Sequence, residues 1–209
     1  MEWHSHEKKY GFPPIAPIGS MLSYCGINIC YRHTPQFTYC IAHNDAVDGF
    51  DRVVANLQSF GGDPENIVLG GISAGANLAA AVVLREGTRT RSHNAKVESE
   101  RRLVRIKGQI LCIPWLVVRT GVVPYHFLAS REICSRYQCA DAPVLPSSVV
   151  HFFTQLMGLK PNDRNVDIGL IDHEDVVGTL MTAFLIAGND PLRDDGLLFA
   201  RKLHQNRYL

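Results

Sequence analysis

Residues Ile67 to Leu84 constrain this chain more than any other stretch. They read Ile-Val-Leu-Gly-Gly-Ile-Ser-Ala-Gly-Ala-Asn-Leu-Ala-Ala-Ala-Val-Val-Leu. A short apolar run ends at Gly70-Gly71, Ser73 stands between Gly71 and Gly75, and an Ala/Leu/Val run follows. The order predicts a strand, a tight turn and a helix. A serine on such a turn needs neighbours without bulk, and Gly71 and Gly75 supply them. Ser73 then projects above the sheet at a helix N-terminus. There, free N–H groups and the helix dipole favour developing negative charge. That suits a nucleophile, with the Ala74 N–H as one donor to an oxyanion. The stretch has no charge and is long enough to be weighed as a membrane span. Gly70, Gly71, Ser73, Gly75 and Asn77 interrupt it, so a strand followed by a buried helix is expected, and no membrane span.

The flanking sequence alternates strand and helix. Ser23 to Tyr31 reads as a strand, with Cys25, Ile27, Ile29 and Tyr31 on one face. Asn44 is expected to cap a helix whose apolar face is Ala46, Val47, Phe50, Val53, Val54 and Leu57. Gly61-Gly62-Asp63-Pro64 stops it. Strands are expected again at Ile106–Trp115 and Thr182–Ala187, and helices after Ser147 and from Asp194. Strand–helix–strand–helix is the signature of a mainly parallel sheet with crossover helices on both faces, an α/β architecture. Residues 1–22, with Pro13, Pro14 and Pro17, form an irregular lead, and residues 116–177 an excursion between strands that shapes a binding pocket.

The bulk numbers exclude several partners. Of 209 residues, 46% are hydrophobic and 20% charged, and the net charge is +1. Neither nucleic acid nor a membrane surface is implied. Arg85 to Lys107 is locally basic, with eight Lys/Arg, and reads as a solvated loop. Six cysteines occur without a Cys-x-x-Cys pair. Cys25, Cys30 and Cys112 read as small hydrophobes in apolar runs, while Cys134 and Cys139 lie in a polar stretch where they could pair. His4 and His6 are too few for a metal site, and no cofactor is expected. The first residues lack the apolar run of a secretory signal, which points to a cytoplasmic protein.

Four segments together resemble the hormone-sensitive-lipase-like, or fold-3, branch of the α/β-hydrolases. Tyr31-Arg32-His33-Thr34-Pro35 is similar to that family's Tyr-Arg-Leu-Ala-Pro. Gly71-Ile72-Ser73-Ala74-Gly75-Ala76-Asn77-Leu78-Ala79 is similar to its Gly-Asp-Ser-Ala-Gly-Gly-Asn-Leu-Ala, the nucleophile elbow. Gln109 to Trp115 resembles the strand after the nucleophile helix, and Asp190-Pro191-Leu192-Arg193-Asp194 the family's Asp-Pro-Leu-Arg-Asp. The resemblance runs from about Ser23 to the end. It implies a carboxylic ester hydrolase acting on a small-molecule ester through an acyl-enzyme. Ser73 would be the nucleophile, Asp190 the acid that orients a histidine, Ala74 an oxyanion donor, and Gly71 and Gly75 the elbow glycines.

The chain departs from that pattern in three places. No His-Gly-Gly segment of the family's oxyanion loop occurs in Met1 to Ser20. The triad histidine should follow Asp190, but only His204 does, within a predicted helix. Ten residues of helix would carry it about 15 Å along the axis. His33, His126, His151 and His173 precede Asp190. Ile72 stands where the family has Asp. The expectation is a family sequence lacking its first sheet strands and its last, with impaired turnover. The alternatives are a non-catalytic small-molecule binding protein and a non-functional fragment of the same fold.

Overall fold

The computed structural model describes residues 24–91, 104–119, 130–161, 163–171 and 180–205. The expected lead at 1–22, residues 92–103 of the basic stretch, His126 and His173 lie outside them. Three strands, β1 (Ile67–Ile72), β2 (Ile106–Cys112) and β3 (Met181–Leu185), form one parallel sheet in the order β1-β2-β3. The helices are α1 (Ile41–Ala55), α2 (Ala74–Arg91), α3 (Ser135–Gln138), α4 (Ser147–Leu156) and α5 (Arg193–Gln205).

The register explains the core. Gly71 pairs with Leu111, and Leu111 with Phe184, so these residues share one sheet face. On it, Ala76 and Ala80 of α2 meet Leu111 together with Phe199 and Leu203 of α5. The other flank of α2, Leu78 and Val82, packs on Ala46 and Phe50 of α1. A helix enclosed on several sides is apolar nearly all round, which accounts for the uncharged run after Ser73. Among the described residues no helix is long and apolar enough to cross a membrane. On the opposite sheet face Val68, Ile72, Ile110, Met181 and Leu185 are exposed. Helices were expected on both faces; among the described residues they cover one.

Several local expectations are corrected. Residues 24–33 form no strand. Alternation makes a strand only where a neighbour completes the ladder, and none of the three strands pairs with this segment. It is held by side chains instead. Ile29 and Tyr31 pack on the Phe50 cluster. The Arg32 backbone N–H and guanidinium both bond the Asp45 carboxylate, at 2.9 and 2.6 Å. The arginine holds the Asp45 carboxyl at about 2.

Asn44 and Ser147 are not caps. The N-cap positions are Cys40 and Pro146, and neither gives a side-chain bond. The Ser147 hydroxyl donates instead to the Arg136 carbonyl at 2.7 Å. Strand β2 stops at Cys112 rather than Trp115. Ile113 adopts φ +38°, a conformation strained for a β-branched residue, and Pro114 follows. Of the cysteines expected to act as small hydrophobes, Cys25 and Cys30 are exposed and Cys112 is half-buried, while Cys134 and Cys139 are buried free thiols.

Candidate active site

Ser73 is the single residue between β1 and α2, and its φ is +54°. Non-glycine residues seldom occupy this left-handed region. Hydrogen bonds on both sides hold it there. The Ser73 N–H donates to the Cys112 carbonyl at 2.9 Å, and the Ser73 carbonyl accepts from Ala76, Asn77 and Trp115 at 3.1, 3.3 and 3.3 Å. The two flanking glycines are not equivalent. A Cβ on Gly71 would lie 2.2 Å from the Gly75 carbonyl carbon and oxygen, whereas a Cβ on Gly75 would meet nothing within 4 Å. The tight approach is thus required at Gly71, with the Gly75 backbone as the surface approached. Ile72, where the resemblance expects Asp, is 63% exposed on the open sheet face, turned away from the elbow's helix side.

A cavity of about 350 Å³ opens beside the elbow, and Ser73 and Ala74 lie in its wall with Tyr39, His43, Trp115 and Leu192. Asp190 is not part of that wall. It follows β3 as Ser73 follows β1, and the strands are parallel, so both residues lie beyond the same end of the sheet. The Asp190 carboxylate is buried and accepts the Leu192 N–H at 2.7 Å, closing a local turn that seats Leu192 in the core beside Trp115. His204 is exposed in the last turn of α5 and does not line the cavity. His33 does line it, its ring tilted against that of Tyr31 with centroids 4.7 Å apart.

His43 is the residue that sequence reading misses. It carries no motif, but it lies three residues before Ala46 and seven before Phe50, on the stripe that α1 buries. Its Nε2 lies 3.0 Å from Asn77 Oδ1. Asn77 Nδ2 donates to the carbonyls of Trp115 and Val166 at 2.9 and 2.8 Å. Both amide hydrogens are thereby used, so Oδ1 must accept and His43 Nε2 must carry the proton. Nδ1 is then a bare acceptor, buried without a partner among the described residues. Burial holds the imidazole pKa below its usual value, against the pull of Asn77.

Three carboxylates fasten the irregular chain after β2, in which Trp115 and Val118 line the cavity. Asp195 accepts the Leu116 and Val117 N–H groups at 3.1 and 2.9 Å and pairs with Arg136 at 3.0 Å. Asp167 accepts the Val118 N–H at 2.7 Å and pairs with Arg119. Asp194 accepts the Ser135 N–H at 2.6 Å. Nothing in the local sequence marks these contacts, because they join residues 49 to 79 positions apart.

His43 and Asp195 have opposite consequences for acid stability. The His43 pKa falls below 6.5 on folding. Just below that pH the unfolded chain binds the extra proton, so His43's contribution is present above 6.5 and is lost as pH falls. Burial raises Asp195 from 3.8 to about 6, against the pull of Arg136. The folded chain then holds the extra proton, so this contribution is full below 3.8 and is lost as pH rises through about 6. Urea unfolding from pH 7.5 to 5 should show His43→Gln losing less stability on acidification than the parent, and Asp195→Asn losing more. Parallel curves for all three proteins would contradict both assignments.

A family model described as alpha/beta hydrolase fold matches residues 18–208. The chain belongs to that family. This α/β hydrolase is similar to an AB hydrolase superfamily protein of Schizosaccharomyces pombe, 26% identical over 184 residues, covering 85% of this chain and 48% of the relative. It is also similar to the carboxylesterase NlhH of Mycobacterium tuberculosis, 28% identical over 181 residues, covering 85% of this chain and 50% of the relative. Among solved structures, vibralactone cyclase matches with a TM-score of 0.69 and 27% identity, over 85% of this chain and 48% of that one. The α/β hydrolase described here thus spans about half the length of the curated relatives it matches.

Proposed function

We propose that this α/β hydrolase carries the nucleophile of a carboxylic ester hydrolase, with Ser73 in that role. The observation that carries the reading is a serine held at φ +54° between a strand and a helix, in the wall of a cavity. Ser73 Oγ attacks the ester carbonyl carbon, and its proton passes to a base. The C–O bond to the alcohol breaks, the alcohol leaves with a proton, and an acyl-serine remains for water to hydrolyse. The Ala74 N–H, at the start of α2, donates to the carbonyl oxygen as it becomes negative. Asp190, beyond the same end of the sheet, serves to orient a histidine.

Within these 209 residues no histidine follows Asp190 except His204, which lies outside the cavity wall. The polypeptide on its own is therefore expected to acylate slowly and to release the acyl group more slowly still. Incubation with p-nitrophenyl butyrate, followed by intact-mass and peptide mass spectrometry, should find one butyryl group on Ser73 and none in Ser73→Ala. A folded protein that never gains the group at Ser73 would overturn the reading. One observation favours a second reading, a binding protein without turnover. The wall's His43 spends its N–H on Asn77 and makes no hydrogen bond to Ser73. That reading predicts ester binding with no acylation.

A further inference from the structure

His43 and Trp115 carry complementary unmet needs in one cavity. His43 Nδ1 and the Trp115 indole Nε1 are both buried and without a hydrogen-bond partner among the described residues. Both residues line the cavity beside Ser73. The Asn77 side chain ties them together, accepting from His43 at 3.0 Å and donating to the Trp115 carbonyl at 2.9 Å. The tautomer fixed by Asn77 leaves Nδ1 able only to accept, and an indole N–H can only donate. Buried polar atoms are normally paired, and exceptions call for a specific explanation.

We propose that the cavity selects hydroxylated esters, the ligand hydroxyl giving its hydrogen to His43 Nδ1 and accepting on its oxygen from Trp115 Nε1. This names the substrate class of the Ser73 site and rests on the ester-binding reading of that cavity. The chemistry excludes close alternatives. An ionised carboxylate has no hydrogen for Nδ1, and an ammonium has no lone pair for the indole. Arg32, the cationic residue in the wall, spends its charge on Asp45. His43 stays neutral, because burial lowers its pKa. Neither orphaned atom is open to solvent, and Tyr39, in the same wall, stands edge-on to His43 with ring centroids 5.0 Å apart, so binding requires wall side chains to yield. A site built to bond a hydroxyl rejects the analogue without one, because its own buried groups are then left unpaired.

The test uses the Ser73→Ala form of the full chain, so that no ester is consumed, and reads dissociation constants by calorimetry. The probes are butyl butanoate, butyl 3-hydroxybutanoate and 4-hydroxybutyl butanoate, which place the hydroxyl on neither side, the acyl side and the alcohol side. One hydroxylated ester should bind about ten- to a hundredfold more tightly than butyl butanoate. Adding His43→Phe or Trp115→Phe should cut that preference to near unity, and His43→Gln, which keeps an acceptor, should retain part of it. Should His43→Phe fail to fold, Trp115→Phe and His43→Gln still decide the matter. Equal affinities for all three esters, no binding of any, or a preference untouched by the substitutions would overturn the proposal. Acylation of Ser73 without the preference would sink this inference alone. The preference without acylation would leave the hydroxyl site standing and remove the hydrolase.

Discussion

Gly71→Ala is expected to cost the protein at least about 3 kcal/mol, while Gly75→Ala changes stability by no more than about 1 kcal/mol. The difference follows from where space is missing. A methyl group on Gly71 would lie 2.2 Å from two backbone atoms of Gly75 and 2.6 Å from the Ala76 nitrogen. Flexible side chains can rotate away, but these atoms belong to the first turn of α2. That turn is fixed by the bonds from Ala76 and Asn77 to the Ser73 carbonyl. Relief would require the strand and the helix to separate, breaking the packing of Ala76 and Ala80 on Leu111. At Gly75 the added methyl has open space, and alanine suits a helix better than glycine. Urea denaturation of the two variants beside the parent measures both values. Equal losses would mean that the elbow does not depend on the Gly71 approach.

Imidazole added to the 209-residue polypeptide is expected to raise its Ser73-dependent hydrolysis of p-nitrophenyl butyrate. Without it, turnover should fall on the order of a million-fold below that of a complete carboxylesterase. A serine hydroxyl is a weak nucleophile until a neighbouring base takes its proton. The Asp190 carboxylate accepts the Leu192 N–H on Oδ1 and lies outside the cavity wall. His43 makes no hydrogen bond to Ser73, and its free acceptor, Nδ1, is buried. A small diffusible base supplies what neither residue does, so the rate should saturate with imidazole concentration. Imidazole also cleaves activated esters in solution, and Ser73→Ala measures that background. Rapid turnover without imidazole, lost in Ser73→Ala, would show that a histidine within the chain serves as base after all. A response to imidazole that is identical in both proteins would remove Ser73 from the chemistry.

The strongest local signals in the sequence are realised directly in the fold. Gly71, Ser73 and the Ala/Leu/Val run after them specify β1, the turn and α2, because pattern, turn residues and burial agree there. The motif at Asp190 was legible as a segment, but its residues have separate tasks. Asp190 closes a turn, Leu192 enters the core, and Asp194, like Asp195 just after the motif, holds a backbone N–H far away in sequence. The segment from Tyr24 to Tyr31 misled because alternation shows which side chains can share a face, and not whether another strand lies alongside. Asn44 and Ser147 misled because side-chain caps are one of several ways to begin a helix. His43 was invisible for a different reason. Its chemistry depends on an asparagine 34 residues away and on two carbonyls that fix which way the amide faces.

The segment between Trp115 and Val118, whose two ends line the cavity, is fastened only late in the synthesis of these 209 residues. Leu116 and Val117 leave the ribosome early, but the carboxylate that holds their N–H groups is Asp195, 79 and 78 residues later. Until α5 has emerged and docked, the two amides and the Arg136 guanidinium lack their shared anion. The elbow can form sooner, since β1, α2 and β2 follow one another in the chain and all precede α5. A nascent chain can thus have its serine turn before the α5 carboxylate fastens the segment beside it. Order in the Leu116–Val117 segment reports that α5 has docked, and the strained turn alone does not.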